Sequence, residues 1–430
     1  MMKGYRYIFL VAVLFGGVSL SHAITIEECQ KLALENYPLI KQYNLIALSE
    51  AYDLSNASKN YLPNITGSAQ TTWQNHVSKF PDGFSDMTSK LGIDMKGTKK
   101  NQYKVGVDVD QLIWDGGQTK SAQDITKASS EVATKEVEVN LYAVRKKIND
   151  LYFGILLINR CLQANEELQK VLDSNLSVVN SGVKNGIASE SDADAIDAEL
   201  LSAKQDRIQL EQRSDSYCKM LSLFIKQDIK AAEIEMPQEL IDLKITDNNR
   251  PELLYFESRK QLLDAQKRKV NSSLMPQIGA FAQGYYGYPG LNMFEAMTNS
   301  KWSFNFIAGV RLRWNIGSLY RKDNNLKNID NEMNMIDIQR ETFLFNTQLQ
   351  QTQISNEIIA KRAVIKDDSK IVALRKSVRN SSEAKLQNGV FTINDLIRDI
   401  SAENNAIIKM ATHNVELLQS IYDYKFTVNN

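Results

Sequence analysis

The chain has 430 residues, 43 % hydrophobic and 24 % charged, and its 51 Lys and Arg are balanced by 51 Asp and Glu for a formal net charge of zero. That balance argues against a general nucleic-acid binder, which carries a basic excess, and a mean hydropathy of −0.33 excludes a bundle of membrane-spanning helices. Length allows roughly two or three domains, while three cysteines without a CxxC pair can neither staple such a scaffold nor form a paired-cysteine zinc site.

The first segment sets the compartment. Lys3 and Arg6 precede a nearly unbroken apolar run from Tyr7 to Leu20, and Ser21-His22-Ala23 places small residues where a signal peptidase reads. This layout predicts a signal peptide over residues 1–23, because the run is shorter than the ~20 residues a span needs. No later run is long enough to cross a membrane as a helix, so the exported chain is expected to be soluble or a β-barrel. Cys29, Cys161 and Cys218 are scattered and read as small hydrophobes.

The chain is written twice. Pro38 and Pro63 are spaced like Pro251 and Pro276, and each pair brackets a helical stretch. Two alternating segments follow in each half, about 64–76 and 102–114, then about 277–288 and 302–315, ending at Gly116-Gly117 and at Gly317. A long helical pattern comes next, broken at Asn185-Gly186 and Asn388-Gly389, with Ser189 and Thr392 placed to cap the next helix. The expectation is a mainly α fold with transmembrane β: helix, β-hairpin, long helix, turn and helix over 24–231, a connector at 232–249, and the same again over 250–430.

The long helix of the first half carries Val137, Leu141, Val144, Ile148, Leu151, Ile155, Ile158 and Leu162 in alternating steps of four and three, a coiled-coil signature. No proline occurs from Gln118 to about Val179, roughly 60 residues or about 90 Å. The last helix repeats the pattern less strictly, with Ile393, Ile397, Ile400, Ile407, Ala411, Leu418 and Ile421. Two shorter helices end to end match one long helix, so antiparallel packing is expected, hairpins at one end and turns at the other.

Strand alternation separates two faces. Ile65, Gly67, Ala69, Thr71 and Trp73 share one side of the first strand, and Trp302, Phe304, Phe306, Ala308, Val310, Leu312 and Trp314 one side of the fourth. Apolar faces ending in Trp, with polar residues behind, fit a lipid-facing barrel wall with Trp73, Trp302, Phe304, Phe306 and Trp314 toward lipid. Four strands cannot close a barrel, and open edges are not allowed in lipid. The chain must therefore oligomerise; three copies supply about twelve strands, although the arithmetic leaves a dimer or tetramer open.

The duplicated layout, the opening Ile24 to Leu34 followed by Tyr37-Pro38, the Leu62-Pro63 and Met275-Pro276 leads into the hairpins, Leu112-Ile113-Trp114-Asp115-Gly116-Gly117 and the two Gly turns together resemble the TolC-like outer-membrane efflux proteins. The resemblance spans the whole exported chain. It implies a homotrimer with a twelve-stranded outer-membrane barrel continued by a periplasmic coiled-coil tunnel, serving as the exit duct of a tripartite efflux pump or type I secretion system. It also implies that the turns, at Asn185, Gly186, Ser189, Asn388, Gly389 and Thr392, dock a periplasmic adaptor belonging to an inner-membrane pump. In that family an aspartate after the second turn narrows the periplasmic entrance; Asp395 falls at that place, with Asp192 its counterpart. Where some members carry a second acid, this chain has Arg398 beside Asp399, and an Arg three residues from Asp395 can pair with it and offset the repulsion of a closed ring of aspartates.

Enzyme chemistry has no foothold in the sequence. His76 and His413 sit in no ligand spacing, no phosphate-binding or nucleophile-elbow motif occurs, and the acids follow helical surfaces. No cofactor, metal, catalytic residue or nucleic-acid partner is expected. The alternative reading is a soluble periplasmic coiled-coil adaptor whose hairpins pack internally.

Overall fold

The computed structural model describes residues 23–92, 97–238 and 248–429. Apart from Ala23, the expected signal peptide lies outside the described residues, as does the 239–247 part of the connector. The first repeat runs α1 (Ile26–Asn36), α2 (Gln42–Ser58), β1 (Asn64–Trp73), α3 (Asp82–Lys90), β2 (Asn101–Trp114), α4 (Gln118–Lys184) and α5 (Glu190–Ile225). The second runs α6 (Pro251–Ser272), β3 (Gln277–Tyr288), α7 (Met293–Thr298), β4 (Ser303–Arg313), α8 (Leu319–Gln387) and α9 (Ile393–Val428). The long helices have 67 and 69 residues and the closing helices 36 each, so the repeat is kept in length as well as order. The small helices α3 and α7 inside the hairpin loops carry no signal that the alternating pattern registers.

Two compact units divide the chain, and both repeats contribute to each. One comprises the described residues of Met1–Ile40, Asn140–Arg250 and Leu344–Asn430, the other Lys41–Val139 and Pro251–Phe343.

The first unit is helical. Along α4 the four-and-three series is buried at Val137, Leu141, Val144, Ile148, Leu151, Ile155 and Ile158, with Leu162 half-buried. Its central part packs with Ile26, Cys29, Leu221, Ile225, Ile358, Val415 and Ile421 into one core. In α9 the buried face is Ile393, Leu396 and Ile400, while Ile397, Ile407 and Ala411 are half-buried. Ile393, Ile400, Leu418 and Ile421 of the expected series are buried, and at one step Leu396 takes the place of Ile397, which lies about 100° further round the helix. A Thr25–Glu28 capping box starts α1. Just before it, Ile24 N donates to Glu233 O (2.7 Å) and Glu235 N donates to Ile24 O (3.2 Å), tying the first described segment to the start of the connector. The fully buried Tyr152 hydroxyl sits within 2.9 Å of Ile24 O and 2.7 Å of Glu235 O. Cys29 and Cys218 are buried and Cys161 partly so, all as free thiols, and burial pushes the Cys29 thiol up to about 12.

The second unit holds one antiparallel sheet in the order β1-β2-β3-β4. The strand at 64–76 stops at Trp73, and the one at 302–315 is trimmed to 303–313; Trp314, just past it, donates its indole N–H to Leu274 O (2.9 Å). Strand becomes helix at Asp115-Gly116-Gly117. Gly116 has φ +67°, and a Cβ there would lie 2.2 Å from Met275 Cβ, so only glycine fits. The buried Asp115 carboxylate accepts from Tyr61 Oη (3.0 Å), Gly117 N (2.9 Å) and Thr119 N (2.6 Å), capping α4 while fastening it to the end of α2. Burial pushes this carboxyl up, but the bonds from Thr119, Gly117 and Tyr61 outweigh it and hold the group below the usual carboxylate range.

Asp115→Ala is expected to destabilise the protein by about 2–4 kcal/mol, since it strips a charged acceptor from three donors, with Asp115→Asn losing less. Because the folded carboxyl titrates below its unfolded value near 4, its contribution is present above about pH 4 and disappears as the pH falls below that. Thermal unfolding in detergent between pH 7 and pH 3 reads both: the gap between wild type and Asp115→Ala should narrow on acidification.

Candidate functional site at the sheet face and the helix turns

Register assigns every strand residue to a face. Ile65, Gly67, Ala69 and Thr71 stand opposite Val109, Val107, Val105 and Tyr103. Val105, Val107 and Val109 stand opposite Tyr286, Gly284 and Ala282, which in turn oppose Phe304, Phe306 and Ala308. One continuous apolar face results, and it is exposed: Ile65 67 %, Phe304 73 %, Phe306 60 %, Val310 71 %. Aromatics mark both ends. Trp73, Tyr103, Tyr286 and Trp302 lie toward the loops, with Trp302 ring centroids 5.9 Å from Tyr103 and 5.5 Å from Tyr286. Trp114 and Trp314 lie toward the helices. The register shifts between Leu112 and Trp114, so one residue is skipped and Trp114 pairs with Ile278 on the apolar side. Without this bulge its even number would put it on the opposite face.

The opposite face is less purely polar than alternation suggests, because Phe281, Tyr285 and Ile307 fall on it. Cations cover two of these rings, Arg311 at 4.5 Å over Phe281 and Lys104 at 4.4 Å over Tyr285. Asp108 accepts from Ser68 Oγ (3.3 Å) and from the Gln283 amide, and Arg311 lies 3.8 Å from Asp110. Charged and amide groups therefore gather on one side of the sheet and hydrocarbon on the other.

The two helix turns are built alike. Gly186 (φ +75°) donates to Val183 O (3.0 Å) and Ile187 N to Gly182 O (2.8 Å); Gly389 (φ +71°) donates to Leu386 O (2.9 Å) and Val390 N to Lys385 O (2.9 Å). Both are Schellman stops. The next helices start with capping boxes: Asp192 N donates to Ser189 Oγ (3.2 Å) and Ser189 N to Asp192 Oδ2 (3.1 Å), while Asp395 N donates to Thr392 Oγ1 (3.3 Å) and Thr392 N to Asp395 Oδ2 (3.2 Å). Asp192 and Asp395 thus each hold a helix N-terminus. Arg398 Nη1 lies 3.2 Å from Asp395 Oδ1, and the Thr392 hydrogen bonds, with Arg398, hold the Asp395 carboxyl below its usual range. Both turns belong to one packed cluster, where Ile196 and Leu200 of α5 meet Ile393, Leu396 and Ile400 of α9. Ile187 and Val390, one residue past each glycine, are 83 % and 70 % exposed.

Sequence reasoning missed the polar network beneath the second turn. Arg379 Nε donates to Glu403 (2.6 Å) and Nη1 to Glu383 (2.8 Å), Asn175 Nδ2 also donates to Glu383 (3.2 Å), and Ser382 Oγ donates to buried Asp399 (2.6 Å). Burial opposes charge on Arg379, but its two carboxylate partners outweigh this and raise its pKa. These residues are spaced as ordinary helix-surface charges, and only the packing of α4, α8 and α9 turns them inward. Each carboxylate in an apolar groove was the available signal.

Residues 30–217 match the family of the outer membrane efflux protein. No curated protein matches the chain. Among solved structures, the fold is similar to the CmeC outer membrane channel of Campylobacter jejuni (13 % identity, TM-score 0.62, 94 % of this chain and 85 % of that one). It is similar as well to the MtrE outer membrane channel of Neisseria gonorrhoeae in its open state (12 %, 0.61, 94 % and 89 %) and to the outer membrane protein VceC of Vibrio cholerae (12 %, 0.63, 93 % and 95 %). The family match covers residues 30–217 alone, while these solved channels share the fold over more than nine-tenths of the chain.

No described helix is long and apolar enough to cross a membrane. Glu403→Ala should destabilise the protein by about 2–4 kcal/mol by leaving the half-buried Arg379 with one carboxylate fewer, and Glu403→Gln by less; denaturant unfolding followed by circular dichroism measures both.

Proposed function

We propose that this protein is an outer-membrane channel, the passive exit duct of a tripartite efflux pump or type I secretion system, formed by a homotrimer whose barrel continues into a periplasmic tunnel. The observation that carries the reading is a four-stranded sheet with one exposed apolar face and with β1 and β4 each paired on one side alone. In lipid those edges require partners. Pairing β4 of one chain with β1 of the next satisfies every edge, and three chains give about twelve strands around a polar lumen. The lumen is lined by the face that carries Asp108, Asp110, Gln283 and Arg311. Residues 1–23 act as the export signal in this reading.

The turns serve as the adaptor-docking end. Ile187 and Val390 offer matching exposed apolar tips beside Asn185, Gly186, Ser189, Asn388, Gly389 and Thr392, held rigid by the Schellman stops and caps. Asp395 and Arg398 set the charge of the periplasmic entrance, with Asp192 as the counterpart in the first repeat. Small molecules or proteins pass without an energy source in the channel, which the inner-membrane pump supplies.

Extraction in detergent should yield a trimer that conducts ions in a planar bilayer; a monomer that stays in the aqueous fraction overturns the reading. Arg398→Ala, by uncovering Asp395, should raise the preference of the entrance for cations and its sensitivity to divalent cations, and unchanged single-channel behaviour would remove Asp395 and Arg398 from the entrance.

A further inference from the structure

The loops at the strand ends away from the long helices carry more apolar surface than a solvent-facing loop requires. Phe80, Phe84, Met87 and Leu91 recur at four, three and four residues and so share one face of α3 and its leading turn. Phe84, Met87 and Leu91 are exposed, as are Met293 and Phe294 of α7. Phe80 joins the two helices, its ring 5.3 Å from Phe84 and 6.0 Å from Phe294. The two loops are also tied by polar contacts: Tyr288 Oη accepts from Lys99 N (2.9 Å) and donates to Ala296 O (2.9 Å).

Those contacts say which way the loops lean. Tyr288 shares the apolar face of β3 with Tyr286, yet it is buried, because α7 and the segment around Lys99 cover it. α7 and its flanks also border Trp302, on the same face of the sheet, around a shared cavity of about 130 Å³. The apolar patch of α3 and α7 therefore continues the lipid-facing wall beyond its aromatic girdle. The same loops carry exposed Lys90, Lys99, Lys100 and Lys301 beside exposed Asp86 and Glu295, and the lysines can meet lipid phosphates.

We propose that α3, with Phe294 of α7, is an interfacial anchor whose apolar face lies in the outer leaflet of the membrane the barrel spans, its partner being the lipid surface. Each chain contributes one such anchor, so the barrel is held at a fixed depth by the phenyl, thioether and leucyl side chains while the lysines meet headgroups. The inference rests on the outer-membrane channel reading.

The test uses the full-length assembled channel in vesicles of phosphatidylethanolamine and phosphatidylglycerol containing a doxyl-labelled lipid. An environment-sensitive fluorophore is attached at Met87→Cys, at Ser89→Cys on the opposite side of α3, or at Val310→Cys on the barrel wall, each with Cys161→Ser because the other two cysteines are buried. Expected is blue-shifted emission at positions 87 and 310, quenched severalfold more by the doxyl lipid than at position 89, with position 89 open to aqueous iodide. Iodide quenching at 87, with 310 still quenched by lipid, overturns the anchor and leaves the channel reading standing. Protection of 87 from both quenchers, together with disulfide formation between Met87→Cys chains, assigns the patch to a second copy and also overturns it. Loss of lipid quenching at 310 sinks the channel reading and the anchor with it.

Discussion

Every backbone N–H and C=O placed in hydrocarbon needs a partner within the protein, and the four-stranded sheet leaves two rows of them unpaired. This constraint organises the rest of the molecule. With the sheet in lipid, as proposed, the single chain is incomplete and the apolar sheet face goes together with assembly. Both repeats contribute a hairpin to the one sheet, which on the proposed reading halves the number of chains needed to close a ring. Cross-strand pairs on the polar face, with Asp108, Gln283 and Arg311 among them, keep that side satisfied where it meets water.

The helical part answers a different demand. Helices of 67 and 69 residues must reverse direction without leaving their terminal carbonyls and amides unsatisfied. Both reversals use the same parts: a left-handed glycine stop, an exposed apolar residue, and a Ser or Thr cap answered by an Asp. The second reversal is underlain by Arg379, Glu383, Glu403 and Asp399, which the first does not duplicate. The two ends of the repeat are thus alike in backbone and different in charge. That asymmetry is what a duplicated chain needs if its two hairpins are to do different work.

Much of this is legible in the residues. The Pro spacing, the Asn-Gly breaks, the four-and-three series of α4 and the strand alternation each follow from local periodicity, and each element stands where its pattern lies. The parts that were not legible depend on long-range geometry. Trp114 reaches the apolar side through a bulge that no alternating pattern records. Asp115 reads as part of a Gly turn until Tyr61, fifty-odd residues earlier in the chain, is seen to donate to it. α3 is short and lies between strands, where its helical spacing competes with the alternation on either side. Arg379 and Glu403 read as a solvated face, since the sequence does not say which helix covers them. At the turns, Asp192 and Asp395 read in the sequence as charges, whereas their geometry first makes them N-terminal helix partners of Ser189 and Thr392.

The central claim is that β1 and β4 find their missing partners on neighbouring chains. Cysteines scanned along β1 from Ile65 to Trp73, combined with cysteines along β4 from Phe304 to Leu312 and oxidised in the membrane, test it most directly. The account predicts a register at which chains link to one another, giving covalent ladders that end at three. Cross-links confined within single chains, or none at any register in a channel that still conducts, would contradict it.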